Sequence, residues 1–182
     1  LISALGKKNN AMLLDCRTLT YQHAPIPNSM ALLIVNSNVK RGLVDSEYNL
    51  RREQCEVVAN YFGVSALRDV TLAQLNDAKD QIEPILFQRA RHVISENERA
   101  VNTLIALKNN DMPTISAAMR ASHISLRDDF EVTTKEMDGL VEMIDDTLEE
   151  VAVVAKNMGS KINFEKEKSI SFIVPTDENL IQ

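Results

Sequence analysis

The spacing of apolar residues predicts a chain of helices with few strands. Ala11 to Cys16 is predicted to be a strand. A continuous apolar run of strand length occupies Met30 to Val35, and this second strand, apolar on both faces, is expected in the centre of a sheet. A long helical pattern starts at Pro84, which suits a first helical position, and continues to about Leu107. Its apolar stripe comprises Ile85, Leu86, Ala90, Val93, Ile94, Val101, Leu104 and Ile105. We therefore expect an α+β fold that is mostly helical with a small sheet.

Capping residues and helical spacing predict the remaining elements. The chain should open with the end of a helix at Leu1 to Leu5, and Thr18 to His23 should continue the first strand in extended form. A helix is expected from Glu47 to Phe62, with Ser46 as N-cap, Gly63 at its end and one broad face that carries Tyr48, Cys55, Val58 and Ala59. A short helix is expected to start at Asp69-Val70-Thr71, with Leu72 and Leu75 inward. Two more are expected from Pro113 to Ile124, after a cap at Asn109 to Asp111, and from Thr134.

The last part of the chain departs from this helical pattern. Lys161 to Phe164 and Ser169 to Val174 alternate between polar and apolar residues around a charged Glu-Lys-Glu-Lys stretch. This pattern predicts a β-hairpin at about 158–182, within a single domain that covers residues 1–182.

Composition narrows the range of partners. The net charge is −6, whereas a surface that binds nucleic acid needs an excess of basic residues, so we expect no nucleic-acid partner. No apolar run approaches the roughly 20 residues of a membrane-spanning helix, and we expect a cytoplasmic protein with no membrane partner. Cys16 and Cys55 fit no metal spacing and are expected to be buried free thiols.

Several polar residues invite a functional interpretation, but their spacing favours a structural one. His92 and His123 have no further ligand at metal-binding spacing, so we expect no metal site. The carboxylates Asp128 and Asp129 are expected to cap and to form ion pairs rather than to act in acid–base catalysis. Arg51 and Arg52, with Glu53 and Glu56, are expected to form a solvated helix face with i,i+4 pairs. No nucleophile motif or phosphate-binding glycine loop occurs, and we predict no catalytic residue.

Several segments together carry a resemblance to a known family, in the same order and spacing. They are N-S-N-V-K at Asn36 to Lys40, S-E-Y-N-L-R-R-E-Q-C at Ser46 to Cys55, A-M-L-L-D-C-R-T at Ala11 to Thr18, A-L-R-D-V-T at Ala66 to Thr71, R-A-R-H-V-I-S-E-N at Arg89 to Asn97 and S-H-I-S-L-R-D-D-F-E-V-T at Ser122 to Thr133. Over roughly Leu1 to Ile144 the chain resembles the carboxyl-terminal half of a galactokinase, a member of the GHMP kinase superfamily.

The resemblance implies a fold, a reaction and two site residues. Galactokinases transfer the γ-phosphate of ATP, with Mg²⁺, to the first hydroxyl of galactose. Tyr48 matches the tyrosine that hydrogen-bonds the sugar in that family; the alternative is that its ring packs on the sheet with the hydroxyl at the surface. Lys40 takes the place of a basic residue near the nucleotide phosphates, but a solvated lysine is favoured because the phosphate loop is absent. The side chains of Asn36, Ser37 and Asn38, which precede Lys40, are expected to form hydrogen bonds with the backbone of their loop rather than to bind a ligand.

Other family motifs do not appear in these 182 residues. The first motif and the glycine- and serine-rich phosphate loop are absent, and the catalytic aspartate is expected two positions before Leu1. Where the family has a third, glycine-rich loop, this chain has G-S-K-I-N-F-E-K-E-K from Gly159. We expect no cofactor for this chain alone, since ATP and Mg²⁺ enter only through the family.

Three functional hypotheses follow. In the first, the chain is a truncated galactokinase-like protein without kinase activity of its own, either decayed or acting as a binding or assembly module with weak galactose binding. In the second, it is a fragment of an ATP-dependent galactokinase that needs a complementary chain. A third, a regulator resembling the galactokinase-like transcriptional inducers of yeasts, is disfavoured because those proteins keep the missing motifs. Since the family's other half would cover apolar surface, we expect self-association as a homodimer, or a protein partner.

Overall fold

The structure is a computed structural model that describes residues 2–28, 30, 35, 37, 39 and 45–144. Its described part is α+β, as predicted, with helices that greatly outnumber the strands. The elements are α1 (Ile2–Leu5), β1 (Asn10–Leu14), β2 (Tyr21–Pro25), α2 (Asp45–Tyr61), a 3-10 helix (Leu67–Asp69), α3 (Leu72–Asp77), a second 3-10 helix (Lys79–Gln81), α4 (Pro84–Asn109) and α5 (Met112–Asp128). Residues 135–144 are also helical.

The chain divides into two compact units. Among the described residues, the hairpin unit contains those up to 35, then 100–120 and 142–144, and the helical unit contains those from 37 to 99 and from 121 to 141. Each unit has its own cluster of buried apolar side chains. The single domain expected over residues 1–182 stays a prediction, and so does the tail hairpin, which lies outside the described residues.

The hairpin unit is built on two antiparallel strands. β1 pairs with β2 from Asn10 opposite Pro25 to Leu14 opposite Tyr21. The carboxylate of Asp15 closes the turn, because its Oδ1 accepts hydrogen bonds from the backbone amides of Arg17 at 2.8 Å and Thr18 at 3.3 Å. The prediction that Thr18 continues the strand is therefore wrong, since Thr18 lies in the turn.

The core of the hairpin unit lies between β2, the last turns of α4 and the start of α5. Its buried residues are Ala24, Leu104, Ala106, Leu107, Met112 and Ile115, and Ala11, Leu13, Met30 and Met119 pack against them. Val101 and Ile105 on α4 are exposed, although the predicted stripe included both. The buried side chains in this part of α4 are instead those of Leu104, Ala106 and Leu107. The predicted central strand at Met30 to Val35 lies mostly outside the described residues.

The helical unit packs α2, α3 and the first turns of α4 around one cluster. Its buried members are Val58, Ala59, Leu67, Val70, Leu75, Ala78, Ile82, Phe87, Ala90 and Ile94. Thr71 starts α3 with a capping box, in which its hydroxyl accepts from the backbone amide of Gln74 at 3.2 Å and the Gln74 side chain accepts from the backbone amide of Thr71 at 2.9 Å. The predicted helix in this region, with Leu75 inward, is confirmed.

Backbone signals fix where α2 and α4 end. After α2, Gly63 has φ +67°, and hydrogen bonds from Gly63 N to Asn60 O and from Val64 N to Ala59 O, both 3.0 Å, complete a Schellman motif. After α4, Asn110 takes the corresponding position with φ 55°, as asparagine can. Asp111 then caps α5 by accepting a hydrogen bond from the Thr114 amide at 3.2 Å. The predicted helix ends at both places are confirmed.

Candidate functional site

The candidate sugar-binding residue, Tyr48, lies in the first turn of α2. The helix begins at Asp45, so Ser46 lies inside it and does not precede it as an N-cap. Of the four residues predicted to share one broad face, Val58 and Ala59 are buried and Cys55 packs against the core, whereas Tyr48 is 41 % exposed. Tyr48 lies about two or more turns before these residues, at the N-terminal end of α2, which extends beyond the core. Its ring is therefore accessible to a ligand.

Arg51 follows Tyr48 by one helical turn and is buried, with only 8 % of its surface exposed. Its Nε donates to the carbonyl oxygen of Phe130 at 2.6 Å and its Nη2 to that of Glu131 at 2.7 Å, and its Nη1 lies 3.3 Å from the carbonyl oxygen of Glu47. The prediction of a solvated Arg51 is wrong. A buried guanidinium needs hydrogen-bond acceptors for its donors, and residues about 80 positions away in the sequence supply two of them.

The neighbouring Arg52 behaves as the sequence predicts. Its guanidinium lies 3.7 Å from the Glu56 carboxylate in an i,i+4 pair, and both side chains are more than half exposed. The two adjacent arginines of α2 thus have opposite environments. The difference arises because Arg51 faces segment 129–131, which follows α5, whereas Arg52 faces solvent.

Arg89 of α4 binds the same segment from a second helix. It donates to the carbonyl oxygen of Asp129 and to the carboxylate of Glu131, and its Nε lies 3.4 Å from Gln54 Oε1 on α2. The hydrogen bond from Arg89 and the positive charge of that guanidinium lower the pKa of the Glu131 carboxyl. We call Arg51, Arg89 and segment 129–131 the arginine clamp. It joins α2, α4 and the end of α5.

A polar chain, buried at Asp129, Ser125 and His92, extends the arginine clamp toward α5. Arg91 forms an ion pair with the Asp129 carboxylate, and the Ser125 hydroxyl donates to the same carboxylate at 3.0 Å. His92 Nδ1 lies 2.9 Å from Ser125 Oγ. Because the single hydroxyl proton of Ser125 is donated to Asp129, this oxygen acts as the acceptor and Nδ1 of His92 as the donor. The His92 ring stacks on Phe130 with 4.5 Å between centroids, and burial lowers the pKa of His92. The predicted ion pairing of Asp129 is confirmed.

The other residues singled out from the sequence have structural contacts where they are described. Asp128 pairs with Arg127 at 2.7 Å, and His123 Nε2 lies 3.3 Å from Asp138 Oδ1. Within the described ranges, no group of three His, Cys, Asp or Glu side chains could hold a metal ion. Lys40, with Asn36 and Asn38, lies outside the described residues, so its expected role near a nucleotide stays a prediction.

The arrangement is suited to holding a shape rather than to covalent chemistry. Its charged groups are paired with one another or with backbone carbonyls, and Ser125 donates to a carboxylate that is already bound by Arg91. What it holds is the first turn of α2, which carries Tyr48. This cluster is not evident in the sequence, because the contacts that join its helices connect residues 33 to 80 positions apart. The signal present in the sequence was the acidic pair in S-L-R-D-D-F-E, whose arginine partners cannot be identified from spacing.

Comparison with known proteins shows which solved structures have a similar fold. No family model matches the chain. Among solved structures, it is similar to the crystal structure of Lactococcus lactis galactokinase complexed with galactose, with 29 % sequence identity and a TM-score of 0.66. The match covers 78 % of this chain and 38 % of that protein, so the chain spans less than half of the length of its structural neighbour. The chain has a galactokinase-like fold, which confirms the fold that the sequence motifs implied.

A membrane-spanning helix is not found among the described residues, where none is both long and apolar enough. The expected cytoplasmic location stays a prediction.

Proposed function

We propose that this chain is a galactokinase-like binding module that presents Tyr48 to galactose and has no kinase activity on its own. The observation that carries the proposal is the structural similarity to a galactokinase over 78 % of the chain. Within the matching sequence, the tyrosine motif S-E-Y-N-L-R-R-E-Q-C is intact. The phosphate loop that the family uses to hold ATP has no counterpart in these 182 residues.

The exposure of Tyr48 supports its role in sugar binding. Its ring is accessible, and the turn that carries it is attached to segment 129–131 through Arg51. A single hydroxyl contributes about 1 kcal/mol net to binding. Without the carboxylates of the family's first motif, we expect galactose to bind with a dissociation constant of roughly 1 mM or weaker, which corresponds to about 4 kcal/mol.

A galactose titration of the chain labelled with 13C in its tyrosine rings tests this proposal. The chain has three tyrosines, so the three ring signals can be assigned from Tyr→Phe variants. We expect galactose to shift the Tyr48 signal and to leave that of Tyr61, whose hydroxyl donates to Gln81 at 2.7 Å at the other end of α2. Glucose, which differs from galactose at one hydroxyl, is the matched ligand. If galactose leaves the Tyr48 signal unchanged, or if glucose shifts it equally, the proposed sugar specificity is wrong.

A second candidate function is ATP-dependent phosphorylation of galactose together with a complementary chain. The observation that favours it is the coverage, since this chain corresponds to 38 % of a whole galactokinase. In this case ATP and Mg²⁺ bind mainly to the complementary chain, and Lys40 contributes a charge near the phosphates. Galactose-dependent ADP release in the mixture, but in neither chain alone, would support this function. A mixture without activity, despite association of the two chains, would contradict it.

Self-association is proposed for the isolated chain. Leu50 and Val57 lie two turns apart on the same face of α2, away from its buried residues, and both are about half exposed. Exposed apolar side chains that share a helix face favour a protein contact. We expect a homodimer by light scattering at micromolar concentration, and Leu50→Glu should weaken it. A monodisperse monomer of the unaltered chain would contradict this proposal.

A further inference from the structure

We propose that Arg51 is a positioning residue for Tyr48, which it holds through the first turn of α2. The inference rests on the proposed role of Tyr48 in galactose binding, but it concerns a different side chain and a property that is measurable without sugar. The arginine itself is buried, so it acts through the backbone that it binds and not through a contact with the ligand.

The geometry of Arg51 connects Tyr48 to a distant part of the helical unit. Nη1 of Arg51 lies 3.3 Å from the carbonyl oxygen of Glu47, the residue directly before Tyr48. Nε and Nη2 of the same guanidinium donate to the carbonyl oxygens of Phe130 and Glu131. One planar group therefore bridges the turn that carries Tyr48 and the segment that follows α5.

The far side of this bridge is itself firmly held. Phe130 stacks on the buried His92 ring, and the Glu131 carboxylate is bound by Arg89 of α4. Glu131 has φ 53°, a left-handed conformation that is uncommon for residues other than glycine. Such a conformation persists where the surroundings fix it, and here two arginines on different helices bind the carbonyl oxygen and the carboxylate of Glu131. Segment 129–131 therefore acts as a fixed anchor for Arg51.

Lysine cannot reproduce this bridge. An ammonium group is a compact point charge on a flexible stem, whereas three backbone carbonyl oxygens are reached by three different nitrogens of the Arg51 fork, and Nη1 also lies 3.7 Å from the Glu47 carboxylate. Arg51→Lys keeps the charge and removes the fork. Arg52→Lys is the matched control on the same helix, because Arg52 is exposed and has a 3.7 Å ion pair with Glu56.

The test uses 13C-tyrosine spectra of the complete chain without sugar. We expect Arg51→Lys to shift or broaden the Tyr48 ring signal and to leave the Tyr61 signal in place, and Arg52→Lys to change neither. An unchanged Tyr48 signal in a folded Arg51→Lys variant would overturn the inference. If that variant does not fold, Arg51→Gln removes the fork without leaving a buried charge, and the Tyr48 signal must then move. An unchanged signal in that variant would equally overturn it.

Galactose titrations of the same variants distinguish the positioning role of Arg51 from the proposed sugar binding by Tyr48. We expect Arg51→Lys to weaken galactose binding roughly fivefold, the equivalent of one hydrogen bond, and to have no further effect in a Tyr48→Phe background. An equal loss in both backgrounds would contradict positioning through Tyr48. If the unaltered chain does not bind galactose, the proposed function fails, and the sugar-free Tyr48 signal still decides whether Arg51 positions that ring.

Discussion

The Cys55 thiol packs against the core of the helical unit, and burial raises its pKa to about 11. The nearby positive charge of Arg89 opposes this shift without cancelling it. Cys16 is exposed in the turn between β1 and β2, so the prediction that both thiols are buried is wrong for Cys16. The sequence placed Cys16 in a strand, but β1 ends at Leu14, where the Asp15 turn begins.

We predict that the two thiols differ strongly in reactivity toward Ellman's reagent. At pH 8 only about one Cys55 side chain in a thousand is in the reactive thiolate form, as follows from its pKa of about 11. The folded chain should therefore show one fast thiol and one slow thiol. Cys16→Ser should remove the fast phase, and Cys55→Ser should keep it. Two thiols of equal rate in the folded chain would contradict the packing of Cys55 against the core.

Arg51 shows why single residues were harder to predict than helices. Its place in R-R-E-Q-C-E is compatible with a solvated face, and the same pattern correctly predicts the Arg52–Glu56 pair. What buries Arg51 is the position of Phe130 and Glu131, and no local pattern encodes that contact. Tyr48 was identified by its motif, whereas its exposure depends on where the core of the helical unit ends.

At the scale of elements, sequence reasoning succeeded where the deciding signal is local. Pro84 begins α4 as predicted, and the predicted caps at Asn109 to Asp111 separate α4 from α5. Proline geometry and capping hydrogen bonds act within a few residues, so a sequence displays them directly. The polar chain from Arg91 through Asp129 and Ser125 to His92 was not predicted, because it forms only when α4 and α5 pack together.

The His92 link between α4 and α5 predicts a pH dependence of stability. Burial lowers the pKa of His92 in the folded chain below its ordinary value of 6.5, so the unfolded chain binds more protons as the pH falls through that value. The free energy of unfolding should therefore be highest above pH 6.5 and should decrease below it, by at most about 1.4 kcal/mol per pH unit for one group. Urea unfolding at a series of pH values measures this slope.

His92→Gln is the control for this prediction, since its amide can still bond Ser125 but does not titrate. This variant should lose the part of the slope that lies just below pH 6.5. The carboxyl of Glu131, whose pKa is lowered from 4.5, contributes a separate loss of stability at lower pH. A variant with the same slope as the unaltered chain between pH 5 and 6.5 would exclude His92 as the source.

At the scale of the whole molecule, the described chain has two compact units with separate cores. The mostly helical α+β class was predicted, as was the resemblance to part of a galactokinase. The division into units was not, because α4 has one continuous helical pattern although its two ends belong to different cores. Periodicity reports which face of a helix is buried, but not how many cores it serves.

Leu75 provides a test of the core of the helical unit. Its side chain is fully buried at 0 % exposure, so Leu75→Ala removes apolar contacts and leaves a cavity. We expect a loss of about 2–5 kcal/mol in the free energy of unfolding, measured by urea titration. Ile124→Ala on α5, where Ile124 is 50 % exposed, should change it by less than about 0.5 kcal/mol. Comparable losses in the two variants would contradict the burial of Leu75.

We propose that this chain combines a galactokinase-like fold with no kinase activity of its own. A coupled assay for ADP release by the purified chain, with galactose, ATP and Mg²⁺, tests it most directly, and a complete galactokinase serves as the positive control. We predict no galactose-dependent ADP release, even at high protein concentration. Turnover that depends on galactose and is abolished by Tyr48→Phe but not by Tyr61→Phe would contradict the claim and would show that this chain phosphorylates galactose itself.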